Sequence, residues 1–221
     1  MIDYWVEDFK RFPELGDLEN YSSSYDKYAK GLVLDCGCGL GGFSIRFSRV
    51  SEDVVSLDSS LFALNYLKDH KPENVHLVLA DCNYLPFREN IFDTIFSLYL
   101  IEHLKFPEKV LVFLYHLLKY CGVLVLSTDT NLFMFAHVLK EIKFFKFWKI
   151  PETLAYLRIR HISIMKPKHW EFFLQKLFNG VDKFHLNPLS HFSKRFPRWV
   201  KCFPEFLSIG VMFVCRKIQL S

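Results

Sequence analysis

At 221 residues and 51% apolar composition, the chain is long enough to bury a large core and too apolar to be disordered. A net charge of +4 is mild and gives no reason of its own to expect a nucleic-acid partner. The 24 phenylalanines lift the aromatic share to 17%, enough to suggest an aromatic-lined pocket or surface beyond the core unless base composition alone accounts for them.

Residues 1–30 carry Trp5, Phe9, Phe12, Tyr21, Tyr25 and Tyr28 among charges, with Ser22, Ser23 and Ser24 as N-cap candidates. They read as two short amphipathic helices. Asp3, Glu7 and Asp8 stand where a secretion signal needs basic and then apolar residues, so no signal peptide is expected. Residues 33–43 read as a strand that breaks into a glycine-dense turn and resumes as a helix over 43–49. Glycines at 37, 39 and 41 remove Cβ where the backbone turns sharply and where a ligand can lie on the peptide plane. The helix start adds unpaired N–H groups. Gly37, Gly39 and Gly42 also fit the G-x-G-x-x-G spacing of a dinucleotide site, but Asp35 opposes a pyrophosphate and suits a ligand carrying an ammonium group. The six cysteines (36, 38, 82, 121, 202 and 215) contain no C-x-x-C pair, and two lie within this turn, which reads as a reducing cytoplasm.

Residues 53–58 form a predicted second strand ending in Asp58, 21 residues past Gly37, where a carboxylate can accept both ribose hydroxyls of a nucleoside. Ser59 and Ser60 cap a helix over 61–70 that Pro72 stops. A third strand, 75–80, runs into Asp81 and Cys82, and an acid there can accept the exocyclic amine of adenine. The fourth strand leads to Leu98 and Tyr99, a helix starting near Glu102 runs to about Lys119, and a fifth strand covers 123–127. This alternation predicts a parallel, doubly wound sheet with its ligand at the strand C-termini. Residues 121–139 hold a single charge, Asp129, near the centre, which argues for a strand, a polar loop and a new helix instead of a membrane span.

From residue 128 the pattern changes to Lys140, Lys143, Lys146 and Lys149 among Phe144, Phe145, Phe147 and Trp148, with Arg158, Arg160 and His161 extending the positive charge. It reads as a helical insertion with a basic face, a lid for an apolar or amphiphilic acceptor that offers peripheral membrane contact. Ordinary core packing of the same aromatics is the competing reading. A helix over 167–177 ends at Asn179-Gly180, and strands at 181–184 and 208–215 are expected as an antiparallel closing pair.

Asp35, Gly37, Gly39 and Gly41 spell D-x-G-x-G-x-G, which resembles the first motif of the class I S-adenosylmethionine-dependent methyltransferases of type 11. Leu85-Pro86-Phe87, Phe92-Asp93 and Glu102-His103-Leu104 are similar to later elements of that family, whereas Tyr120-Cys121-Gly122 departs from its usual Pro-Gly-Gly. The resemblance implies a Rossmann-like α/β fold, a doubly wound, mostly parallel seven-stranded sheet with an antiparallel last strand. It implies one domain: an N-terminal helical cap (1–30), a cofactor-binding core (31–127), a helical insertion or lid (128–167), and a closing helix and strands (168–221). S-adenosylmethionine is the implied cofactor, held by Asp35, Gly37, Cys38, Gly39, Gly41, Asp58, Ser59, Asp81, Cys82, Leu98 and Tyr99. The implied reaction is in-line methyl transfer to a small-molecule or lipid-like acceptor. His103, beside the methyl group, and His161, after the insertion, are the candidate catalytic residues.

Neither H-E-x-x-H nor a Cys/His cluster appears along the chain, so no metal site is expected. Leu98-Tyr99 replaces the Asp-Pro-Pro-Tyr type motif of base amino-methylation, and no nucleic-acid partner is expected. The location expected is the cytoplasm, with or without peripheral contact to a membrane. Two readings of other classes remain: a nicotinamide-dependent oxidoreductase, and a non-catalytic module of this fold that binds RNA or a protein through the basic insertion.

Overall fold

Side chains on a strand alternate between its faces, and that alternation assigns the core of this protein to two layers. The computed structural model describes residues 23–130, 148, 150, 151, 154, 155, 161–163, 165–186 and 210–218. Its seven strands are β1 (Leu32–Cys36), β2 (Asp53–Asp58), β3 (Val75–Leu79), β4 (Phe92–Leu98), β5 (Leu118–Asp129), β6 (Gly180–Leu186) and β7 (Gly210–Arg216). Its α-helices are α1 (Gly42–Phe47), α2 (Leu61–Lys68), α3 (Pro107–Leu117) and α4 (Pro167–Leu177).

Leu34, Cys36, Ile95, Leu124, Leu126 and Phe213 point to one face of the sheet, where they meet Val110, Leu111 and Leu114 of α3 and Trp170 and Leu174 of α4. Val33, Phe96, Val125, Met212 and Val214 point to the other and pack with Phe47 of α1, Leu67 of α2 and Tyr25. Because both faces are covered, the central strands read as continuous apolar runs.

The strand order is β3-β2-β1-β4-β5-β7-β6. Strands β1 to β5 pair in parallel, and β7 lies between β5 and β6, antiparallel to both. The expected closing pair is present, but only its second member reverses direction. The chain order turns back at β1, with β2 on one side and β4 on the other. The crevice outside the C-terminal ends of β1 and β4 is where such sheets take ligands.

Three expectations at the element ends need correction. The single helix expected over 102–119 is a 3-10 turn, Ile101–His103, followed by a break and then α3, because Pro107 occupies a first-turn position and holds the preceding residue out of helix. Strand β5 begins at Leu118 and not at 123, with Cys121 at φ 64° and a register shift opposite Phe92/Thr94. Buried Lys217 crosses that irregularity, donating from Nζ to Asn90 Oδ1 (2.9 Å) and the carbonyls of Tyr115 (3.0 Å) and Leu118 (2.7 Å). At its other end β5 runs through Asp129, so Thr128 and Asp129 belong to the sheet and not to the insertion.

Asp93 explains the Phe-Asp pair at the start of β4: its Oδ2 accepts from the Leu32 N–H at 3.0 Å and pairs with Lys119 Nζ at 2.8 Å, joining the entries of three strands. Among the described residues no helix is long and apolar enough to cross a membrane. The lysines and phenylalanines of 131–147, Lys149, Arg158, Arg160, residues 1–22 and the loop 187–209 lie outside the described residues.

Trp170 is fully buried at the junction of α4 with the sheet. Trp170→Ala should therefore cost about 3–5 kcal/mol of unfolding free energy. Trp170→Phe should cost less, and urea denaturation of the two variants against the parent checks both.

Candidate functional site

The loop after β1 is shaped by its glycines. Gly37, Gly39 and Gly41 sit at φ 78°, 53° and 84°, a region side chains rarely adopt. A Cβ on Gly37 would stand 2.9 Å from Leu100, and one on Gly41 would collide with Leu67. The Gly37 and Cys38 N–H groups donate to the Leu57 carbonyl at 2.8 and 3.0 Å, which hangs the loop on the end of β2.

Asp58 completes that attachment. Its Oδ2 accepts from the Gly39 N–H at 2.9 Å and its Oδ1 from the Ser60 N–H at 2.9 Å. Ser60 then caps α2, accepting from the Ala63 N–H at 3.0 Å, and Ser59 is exposed beside it. Asp81, at the tip of β3, is exposed and accepts from the Asn83 backbone and side chain at 2.8 Å each. Leu98 is buried at the end of β4.

Asp35 differs from expectation. It lies on the Val33 side of β1, beneath α1, where it is buried and accepts from Ser44 Oγ at 2.6 Å. Burial raises its pKa to about 7, with the Ser44 hydrogen bond opposing and the Asp58 charge adding. It thus braces α1 from below, and a cation bound at the loop would favour its charged form. Burial likewise raises the Cys38 thiol and pushes Cys82 up to about 12, so neither is a thiolate at neutral pH.

The crevice floor beyond the loop is built by β4 and β5. Tyr99 turns off β4 at φ 56° and donates its N–H to the Ser127 carbonyl at 2.9 Å. Its hydroxyl meets that of Tyr25, and burial raises both phenols above their ordinary value. Tyr25 comes from the 3-10 turn Ser23–Tyr28, held by the two-pronged pair of Arg46 with Asp26 at 2.6 and 2.7 Å and by the Phe43 ring, edge-on at 5.2 Å.

His103 and His161 come together although 58 positions separate them: their ring centroids are 4.8 Å apart. The Ser163 N–H donates to the Glu102 carbonyl at 3.0 Å and its hydroxyl to the Leu104 carbonyl, which returns the chain from the insertion onto the 101–104 turn. Asp129 Oδ2 lies 3.6 Å from His161 Nε2. Glu102 is completely buried, accepts from Thr128 Oγ1 at 3.1 Å, and has its pKa raised to about 8 by burial and then by the Asp129 charge. Sequence reasoning passed over Glu102, Asp129, Tyr25 and Ser44 as site residues. Glu102 was visible in the Glu-His-Leu run and Asp129 as the lone charge of an apolar stretch, whereas nothing local marks Tyr25 or Ser44.

These residues fit S-adenosylmethionine on chemical grounds. The glycine turn admits close backbone contact, and the carboxylates of Asp58 and Asp81 stand at successive strand ends, where they suit the hydroxyls and amine of a nucleoside. A family profile described as "Methyltransferase domain" matches residues 34–126. Over that segment, 93 of 221 residues, the chain is similar to a methyltransferase domain.

The chain is 32% identical over 95 residues to a demethylmenaquinone methyltransferase of Renibacterium salmoninarum, covering 43% of this chain and 40% of the relative. It is 33% identical over 99 residues to a malonyl-[acyl-carrier protein] O-methyltransferase of Hamiltonella defensa, covering 45% and 38%. The chain thus spans about two fifths of the length of these curated relatives. A solved S-adenosylmethionine-dependent methyltransferase of Archaeoglobus fulgidus superposes with a TM-score of 0.63 over 98% of this chain and 100% of its own, at 16% identity, which shows a shared fold. The methyltransferase domain so defined ends at Leu126, so His161 and the segment that carries it stand outside the matched region.

Asp35 also sets a pH dependence. Its proton is bound more tightly in the folded protein than in the unfolded chain, so raising the pH from about 4 to about 7 releases it from the unfolded chain first and lowers stability. Asp35→Asn keeps an acceptor for Ser44 and removes the titration. Urea denaturation should show the parent losing stability relative to this variant over that range, by up to a few kcal/mol, with no further divergence above it.

Proposed function

We propose that the chain is an S-adenosylmethionine-dependent methyltransferase acting on a small-molecule or lipid-like acceptor. The observation that carries this reading is the glycine loop held at positive φ, with Asp58 tied into it at the end of β2. In this reading residues 31–127 hold the cofactor and the insertion between β5 and α4 covers the acceptor.

When bound, S-adenosylmethionine supplies a methyl group on a positively charged sulfur, whose displacement needs no protonated leaving group. Asp58 accepts the ribose hydroxyls, Asp81 and the Cys82 region border the adenine, and the loop amides together with the Asp35 side of α1 receive the amino-acid end. Gly37, Cys38, Gly39, Gly41, Ser59, Leu98 and Tyr99 complete the wall. What remains for the protein is to orient the acceptor and take up its proton. His103 and His161 stand together at the β4 end for that task, with Asp129 Oδ2 3.6 Å from His161 Nε2.

The return of residues 161–163 onto the 101–104 turn supports the insertion as the acceptor's cover. Trp148, within that insertion, is exposed, as suits contact with an apolar or amphiphilic molecule. The two curated relatives are named for a quinone precursor and a carrier-bound malonyl group, which is consistent with acceptors that are not nucleic acid.

Calorimetric titration tests the cofactor. S-adenosylmethionine or its demethylated product should bind, and Asp58→Ala should weaken binding by about 1.5–3 kcal/mol through loss of charge-assisted hydrogen bonds. Tighter binding of NADH would replace this reading with an oxidoreductase.

His103→Ala should lower turnover of whatever acceptor is found while leaving cofactor affinity nearly unchanged. Parallel losses in both would make it a packing residue.

A further inference from the structure

Glu102, His103 and His161 offer ligand atoms that all lie within 4.8 Å of one another. Two of the three are partly exposed imidazoles, and the third is a carboxylate with no exposed surface. Glu102 Oε2 is held by Thr128 Oγ1 at 3.1 Å, whereas Oε1 is buried and has no hydrogen-bond partner among the described residues. A buried carboxylate oxygen left unsatisfied is costly, and protein structures seldom retain one without a ligand or ion to meet it. We propose that Glu102, His103 and His161 bind a divalent first-row transition cation at the acceptor end of the crevice.

Donor chemistry selects this class. Two imidazoles and one carboxylate suit Zn(II), Mn(II), Co(II) or Fe(II), while Mg(II) and Ca(II) favour all-oxygen sets. Size is compatible. With bonds of about 2.1 Å a tetrahedral set has its ligand atoms about 3.4 Å apart. The trio closes from its present separation by small rotations of the two rings, whose planes are tilted by 34°.

The surroundings match a ligating site as well. Asp129, 3.6 Å from His161 Nε2, takes the position of the carboxylate that orients a ligating imidazole, and Thr128 does the same for Glu102. Three protein ligands leave a position open toward the crevice. An acceptor hydroxyl occupying it would release its proton to solvent at lower pH than in water and so present a stronger nucleophile. That role rests on the methyl-transfer reading; cation binding itself does not. With the cation in place, the two imidazoles act as ligands and the cation activates the acceptor.

The test uses the full chain, stripped with a chelator and titrated with Co(II) alone, read by visible absorption and by equilibrium dialysis repeated with Zn(II) and Mn(II). One equivalent of Co(II) should bind per chain with the d–d bands of nitrogen and oxygen ligation. Glu102→Gln and His161→Ala should each weaken it by at least about 10-fold. Binding of S-adenosylhomocysteine and the thermal midpoint report whether each variant is folded, and His103→Gln stands in for either one that is not. No stoichiometric binding by the parent, or binding that all three substitutions leave unchanged, would overturn the proposal. Because Co(II) is titrated without cofactor, failure of S-adenosylhomocysteine to bind the parent would count against methyl transfer and not against the cation site.

Discussion

The Asp58 carboxylate is the contact on which the crevice depends. A loop that places three glycines at positive φ has little to hold its shape, since each glycine adds backbone freedom that folding must remove. Here the loop is tied at two levels of the same strand end: the Leu57 carbonyl takes two of its N–H groups, and Asp58 bridges the Gly39 N–H to the Ser60 N–H. One side chain therefore sets the distance between the start of α1 and the start of α2. A carboxylate is suited to this because it accepts at both oxygens. Asp35 works from beneath, where Ser44 and Ser56 extend a short buried hydrogen-bond chain toward β2.

The two ends of the crevice are made differently. The glycine-loop end is assembled from consecutive pieces, β1, its loop, α1 and the tip of β2, so its geometry follows from short-range turns. The end beyond β4 is assembled from segments distant in the chain: Tyr25 from before the sheet, Glu102 and His103 from the turn after β4, Asp129 from the end of β5, and His161 and Ser163 from beyond the insertion. Its hydrogen bonds join segments distant in the chain, and burial raises the proton affinity of Glu102 and both tyrosines. A locally encoded scaffold at one end and a composite surface at the other let the two ends vary independently. The matched profile stops at Leu126, before Asp129 and His161, as this division leads one to expect.

Much of the sheet was legible in the chain. Alternating apolar runs, the helix cap at Ser60 and the first-turn proline at 167 are local signals, and each appears where it was read. The glycine loop, Asp58 and Asp81 at successive strand ends were legible for the same reason: strand–turn–helix units have a short, regular period. Element ends were less so. The break at Phe106 and the early start of β5 answer to Pro107 and to the irregular pairing opposite Phe92, which depends on a neighbouring strand.

By itself, then, the sequence determined the α/β class, the order of the first five strands along the chain, the glycine loop and the acids at the strand tips, because all of these follow from backbone preference and the period of side-chain burial. Only the tertiary structure decided that β7 inserts between β5 and β6, that Asp35 turns under α1 to Ser44, and that His103 and His161 meet over Glu102. Those outcomes depend on which distant surfaces bury one another, and neither residue type nor spacing along the chain encodes the distance between residues 58 positions apart.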